Sequence, residues 1–280
     1  MKTSKKNNMS TILLIILLLI SACATAYFGY ITYTDETARK KANDDYKTLT
    51  VNYAPPVQKP QTTNVPGEMP EFYPIRNINH TELKQQNNDY IGWLYFAFIG
   101  NDEDHTFTID YPIVYEKQTN QYLKTGFDKE YNINGSVFMD KLSNPSFFGY
   151  SDILYGHHMR DGSMFGKLEL IHEMNDIDYL KEHPQFLYVY TKTACHKYAL
   201  VGYEQLTTSN SFGYNVAYDN KAYDLIKEHI MSLDTYIESD NFTWTGRPEI
   251  LNLSTCDGDR AGTNERFLLH FVKVMAYAYD

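Results

Sequence analysis

The chain opens on an apolar block. No charged residue occurs from 7 to 34, and 12–20 is almost solid Leu and Ile, enough as a helix to cross a hydrocarbon layer of about 30 Å. From 36 to 53 the pattern turns polar with scattered apolar positions, which predicts a few outward turns of the same helix before Pro55 and Pro56 stop it. Five of the ten prolines then fall within 54–70, among Gln, Thr and Asn, and read as an extended spacer. Asn79 followed three residues later by Glu82 predicts a capped short helix to about 88. Beyond it come eight short segments rich in Tyr, Phe, Val and Ile: 90–99, 107–115, 135–139, 152–155, 186–191, 197–205, 249–255 and 266–277. They predict a mainly β fold, a barrel or a sandwich, interrupted by helices at about 164–172 and at 221–233. In the second of these Ala222, Leu225, Ile226, Ile230 and Leu233 recur on one face. The organisation expected is a short tail and membrane-spanning segment over 1–34, a juxtamembrane segment and Pro-rich linker over 35–70, and one folded domain over 71–280.

Charge adds an orientation and removes a function class. The formal net charge is −10, and Lys2, Lys5 and Lys6 all precede the apolar block, so the body is more acidic still. Such a surface repels phosphate backbones, which argues against nucleic-acid binding. Lysines before the block and Asp35 and Glu36 after it put the N-terminus in the cytoplasm and the folded body outside, a single-pass membrane protein. Ile20-Ser21-Ala22-Cys23 also looks like a lipoprotein processing box, which would end in a lipidated Cys23. The apolar run continuing through Ala24, Tyr27, Phe28 and Ile31 favours an uncleaved anchor, and either alternative tethers the body outside. With Cys23 in that segment only Cys195 and Cys256 are left, too few for a disulfide framework in an exported protein.

An unpaired thiol outside the cell raises the question of its use. Period-2 alternation over 249–256 puts Leu251, Leu253 and Thr255 on one face and Ile250, Asn252, Ser254 and Cys256 on the other, with Cys256 at the strand end before a turn-rich stretch. A lone free cysteine is usually a small hydrophobe, so position alone leaves both roles open. A thiol nucleophile needs a base, and the one histidine cluster in a loop-like setting is Tyr155-Gly156-His157-His158. Acyl transfer also needs positive charge at the developing oxyanion. Arg266, opening the last strand, and Arg260, within the loop, are the candidates. Cys195-His196 is a rival pair, but it falls in the hairpin turn expected between 186–191 and 197–205, and side chains adjacent in sequence seldom meet productively. No His, Cys, Asp or Glu set shows metal-ligand spacing, and no cofactor is expected.

Together, Leu253-Ser254-Thr255-Cys256 with Arg266, Tyr155-Gly156-His157-His158 and Asp161-Gly162-Ser163-Met164-Phe165-Gly166 resemble a class B sortase. Gly92-Trp93-Leu94, Ile109-Asp110-Tyr111-Pro112, Asn120 with Tyr122-Leu123, and Gly135-Ser136-Val137-Phe138 extend the resemblance from about residue 78 to the C-terminus. The resemblance implies an eight-stranded sortase-type β-barrel with N-terminal helices and an added helix before the nucleophile strand. It implies a membrane-anchored cysteine transpeptidase of the Gram-positive cell wall. Such an enzyme cleaves the sorting motif of surface proteins through a thioester and joins it to a peptidoglycan peptide amine. Cys256 would be the nucleophile, His157 the acid and base, and Arg266 the oxyanion partner, with Asn120, Ser254 and Asp257 at the substrate. His157 is preferred to His158 because it directly follows the glycine. The competing readings are another cell-wall cysteine hydrolase or transpeptidase, and a surface-anchored peptide-binding module without turnover. An L,D-transpeptidase would show a Ser-His-Gly-Cys-like run in place of Leu-Ser-Thr-Cys, and all three catalytic positions are filled.

Overall fold

The computed structural model describes residues 4–55, 58–62, 72–207, 216–256 and 265–279. Helix α1 (Ser4–Tyr53) runs unbroken for 50 residues, about 75 Å at the standard rise per residue. Its apolar block stands clear of the rest of the chain, with Leu13, Leu17, Leu18 and Phe28 exposed, and it is long and apolar enough to cross a membrane. The last turns behave differently. Ala42 and Tyr46 are buried, and Leu49 and Tyr53 pack on the same core. The chain leaving α1 is held by Arg76, whose guanidinium donates to Ala54 O (2.7 Å) and Pro55 O (3.2 Å) and clasps Asp110 on its other side.

The proline-rich stretch is not a featureless spacer. Within it β1 (Gln58–Thr62) pairs antiparallel with β2 (Phe72–Ile75), which follows it. After α2 (His80–Gln86), capped by Asn79 Oδ1 accepting from Glu82 N at 3.2 Å, the chain builds the barrel. Its strands are β3 (Tyr90–Phe98), β4 (Phe107–Tyr115), β5 (Val137–Met139), β6 (Ser151–His157), β7 (Phe186–Tyr190), β8 (Ala194–Thr207), β9 (Ile250–Cys256) and β10 (Glu265–Ala278). The eight close in the order β10-β8-β7-β3-β4-β5-β6-β9. All eight segments predicted from the sequence are therefore strands, and the fold is the expected barrel. Neighbours are antiparallel except β4 with β5 and β6 with β9.

Alternation explains the closure. Leu94, Phe96 and Phe98 of β3 are fully buried in the core, and Phe96 meets Phe271 of β10 edge-on at 5.3 Å, an arrangement that adds about 1 kcal/mol beyond the area it buries. Helix α5 (Asn220–Met231) packs outside the barrel through Tyr223, Ile226 and Ile230 against Val201, Ile250 and Val272. Leu225, expected on that face, is 45% exposed, and Tyr223 takes its place. The helix expected at 164–172 lies later, as α3 (Leu170–Met174), because Met164 adopts a left-handed backbone (φ 52°) inside a turn. A further short helix, α4 (Ile177–Glu182), has no counterpart in the sequence reading.

Candidate active site

The candidate residues converge through strand register. β6 and β9 run parallel from the pair Ser151 and Ile250 to the pair His157 and Cys256, their last residues. β10 lies antiparallel on the other side of β9, with Leu268 against Ser254, and Phe267 N donates to Thr255 Oγ1 at 3.0 Å. Counting on from those pairs, Arg266 comes level with Cys256. Leu251 and Leu253 with their partners Phe271 and Leu269 fill the barrel. The intervening positions therefore belong to the outer face, and His157, Cys256 and Arg266 occupy one row across three strands.

His157 is almost fully buried, at 4% exposure. Its Nε2 lies 2.5 Å from the carbonyl oxygen of Leu123. A carbonyl only accepts, so Nε2 carries a proton and the lone pair of the neutral ring is on Nδ1. The preceding glycine has a packing cause. A Cβ on Gly156 would stand 2.6 Å from the Phe165 ring, and Phe165 N donates back to His157 O at 3.0 Å, closing the turn after the strand. His158 faces away, its Nε2 on Glu169 at 3.1 Å.

Beside this row opens a cleft of about 280 Å³ lined by Asn120, Leu123, Phe138, Tyr155, Thr255 and Arg266, with Glu116 and Asp140. Burial, and then the nearby Asp140, pushes the Glu116 carboxyl above its usual range. Asn120 is exposed on the cleft with a left-handed backbone (φ 64°). Ser254 belongs to the outer row but is fully enclosed, with its hydroxyl 3.4 Å from Thr255 O. Asp257 and Arg260 lie outside the described residues. The rival Cys195 is buried in the core, and that burial pushes its thiol up to about 12, so it holds its proton and is no nucleophile. Its neighbour His196 is lowered to about 4, by burial and then by Lys273. Among the described residues no group of three or more His, Cys, Asp or Glu could hold a metal ion. The Leu123 carbonyl is the part sequence reasoning missed, since a backbone atom in a loop leaves no side-chain signal.

No protein-family profile matches the chain. Sortase B of Listeria monocytogenes is 30% identical to it over 200 residues, covering 71% of this chain and 72% of that protein. The chain belongs to the sortase B family. It is accordingly an enzyme, a sortase transpeptidase. Among solved structures, a Bacillus anthracis protein described as similar to sortase B matches with a TM-score of 0.56 and 25% identity, covering 89% of this chain and 98% of that one. The complex of Staphylococcus aureus sortase B with a substrate matches with a TM-score of 0.55 and 22% identity, covering 70% and 85%. The family's barrel is the architecture found here, with β6, β9 and β10 carrying the candidate row.

Proposed function

We propose that the chain is a membrane-anchored transpeptidase whose nucleophile is Cys256, with α1 holding the barrel outside the cell and the N-terminus in the cytoplasm. The Cys256 sulfur attacks the backbone carbonyl carbon at the scissile bond of a surface protein's sorting motif. The carbonyl oxygen takes up negative charge beside the Arg266 guanidinium. The C–N bond breaks, the leaving amine takes a proton from the His157 imidazolium, and a thioester remains. A peptidoglycan peptide amine, losing its proton to His157, then attacks that thioester. A new amide forms and the sulfur leaves as thiolate. Asn120 on the cleft, Ser254 behind the row and Asp257 after the nucleophile are assigned to the substrate side.

The observation that carries this reading is the register pairing His157 with Cys256 at the ends of two adjacent parallel strands, with Arg266 level on the third. Support for a sorting-motif substrate comes from the Staphylococcus aureus relative, whose structure was solved with a substrate. Support for the anchor is the exposed apolar half of α1. The test is intact-mass analysis of the full chain in detergent after incubation with sorting-motif peptides. An adduct equal to the N-terminal peptide fragment is expected on the wild type and on Cys195→Ala, and none on Cys256→Ala. An adduct that survives Cys256→Ala, or a peptide that binds with neither adduct nor cleavage, would overturn the reading.

A further inference from the structure

The Leu123 carbonyl that holds His157 does not stand alone, and the contacts behind it lead to the helix that carries the apolar span. Gly135 backs directly onto it: a Cβ there would lie 2.6 Å from both Leu123 O and Tyr122 O, and φ at Gly135 is +58°. The oxygen of Gly135 accepts a hydrogen bond from the Tyr46 hydroxyl of α1 at 2.5 Å, and Ser136 Oγ is 3.0 Å from the same hydroxyl. Ser136 is tied back to the loop, its N donating to Tyr122 O (3.1 Å) and its Oγ to Thr125 O (2.9 Å). One turn earlier on α1, Asn43 accepts from Asn134 Nδ2 at 2.7 Å and donates to Asp161 Oδ2 at 2.6 Å. Asp161 stands in the turn that follows His157. Helix α1 thus grips the two segments that flank the imidazole, one supplying its acceptor and the other continuing its strand.

We propose that Tyr46 is a positioning residue for His157, acting through Gly135 and the Leu123 carbonyl, so that the outward end of the membrane helix sets the orientation of the catalytic imidazole. The proposal rests on the assignment of His157 made above. Tyr46 is buried, and burial pushes its phenol far above the ordinary range, so it stays a donor at any physiological pH. A neutral tyrosine 111 residues before the histidine thereby fixes a backbone acceptor, and that acceptor fixes both the ring plane and the Nε2–H tautomer.

The test uses the full chain in detergent with 15N-labelled histidine, the His157 signals being assigned by their loss in His157→Gln. Tyr46→Phe keeps the ring, which packs edge-on against Tyr111 at 5.5 Å, and removes only the hydroxyl. Expected are a mixture of tautomers at His157 and a kcat about tenfold lower at nearly unchanged KM, as a small misplacement of a reacting group gives. Gly135→Ala, which presses on the carbonyl itself, should move the same signals further. Tyr223→Phe is the control. It removes a part-buried hydroxyl of α5 bonded to Pro248 O at 2.7 Å, and should leave the His157 signals in place whatever it does to the melting temperature. His157 signals in Tyr46→Phe identical to wild type would overturn the proposal, even if turnover fell. The reading of His157 as the acid and base fails by another result, full turnover in His157→Gln, and the nitrogen signals still decide the positioning question in that case.

Discussion

The two ends of the β6–β9 pair have the same strands and the same register but opposite polar chemistry. At the Ser151 and Ile250 end, α5 covers the outer face and polar groups are locked to one another. Asn252 Nδ2 donates to Ser151 Oγ (3.2 Å), Asn252 Oδ1 meets His270 Nδ1 (2.8 Å), His270 Nε2 meets Glu204 (3.2 Å), and Glu204 also holds His229 of α5 (3.0 Å). Lys273 pairs with the buried Glu249 at the strand base, and the Tyr198 hydroxyl donates to the same carboxyl at 3.2 Å. At the His157 and Cys256 end no helix among the described residues lies over the row; its neighbour is a cleft, and the acceptor on His157 is a backbone carbonyl from a loop. A buried polar chain with every member satisfied supports the fold. A histidine with one nitrogen fixed and the other left basic can move a proton. The difference lies in what covers each end of one strand pair.

Exchanging the ends' properties by mutation should break that contrast. The largest effect is expected from His157→Asn, with transpeptidation about 1,000-fold slower or worse, in the range that general acid–base groups supply, and a melting temperature close to wild type. A melting temperature that collapsed with activity would make His157 a structural histidine like those at the closed end. Next is Asn252→Ala, two positions along β9 from Ser254. It strands the His270 nitrogen and the Ser151 hydroxyl in the interior, so urea unfolding should show a loss of about 2 kcal/mol, while kcat at a temperature where the variant is folded stays near wild type. A fall in kcat without a fall in stability would mean that the closed end also serves the reaction.

The same contrast marks what could be read from the chain alone. All eight strands were legible because each carries its alternation or aromatic run inside a single segment, and Leu251, Leu253 and Cys256 fixed which face of β9 was which. The packing of α1 on the barrel has a signal too: Ala42, Tyr46, Leu49 and Tyr53 are buried or half-buried apolar positions of an otherwise polar stretch, and they recur at helical spacing. The pairing of β1 with β2 had no such signal, because its strands are short and proline-bearing and their order comes from each other. The Leu123 carbonyl, the Tyr46 contact and the turn that displaced α3 depend on loop conformation, where sequence chemistry acts only through Gly135, Gly156 and a left-handed Met164. What local pattern encodes was visible, and what long loops bring together was not.

The smallest effect expected is a slope of stability with pH, and it belongs to the closed end. His196 is packed between Phe147 and Phe148, ring centroids 5.9 and 5.2 Å away, and its pKa is lowered to about 4 from 6.5, by burial and then by the neighbouring ammonium of Lys273. The unfolded chain takes up a proton below about 6.5 and the folded chain only near 4, so unfolding binds a proton in that window and acid favours it. Stability from this group is therefore complete above about 6.5 and lost as the pH falls toward 4. His80, lowered to about 4 mainly by burial, adds in the same direction. His196→Leu should flatten the melting temperature between pH 6.5 and 4 without abolishing the slope, since His80 remains, and should leave the pH dependence of transpeptidation unchanged. A pH–rate profile that moved with His196→Leu would join the two ends of the barrel electrostatically, and the separation of a supporting end from a reacting end would then fail.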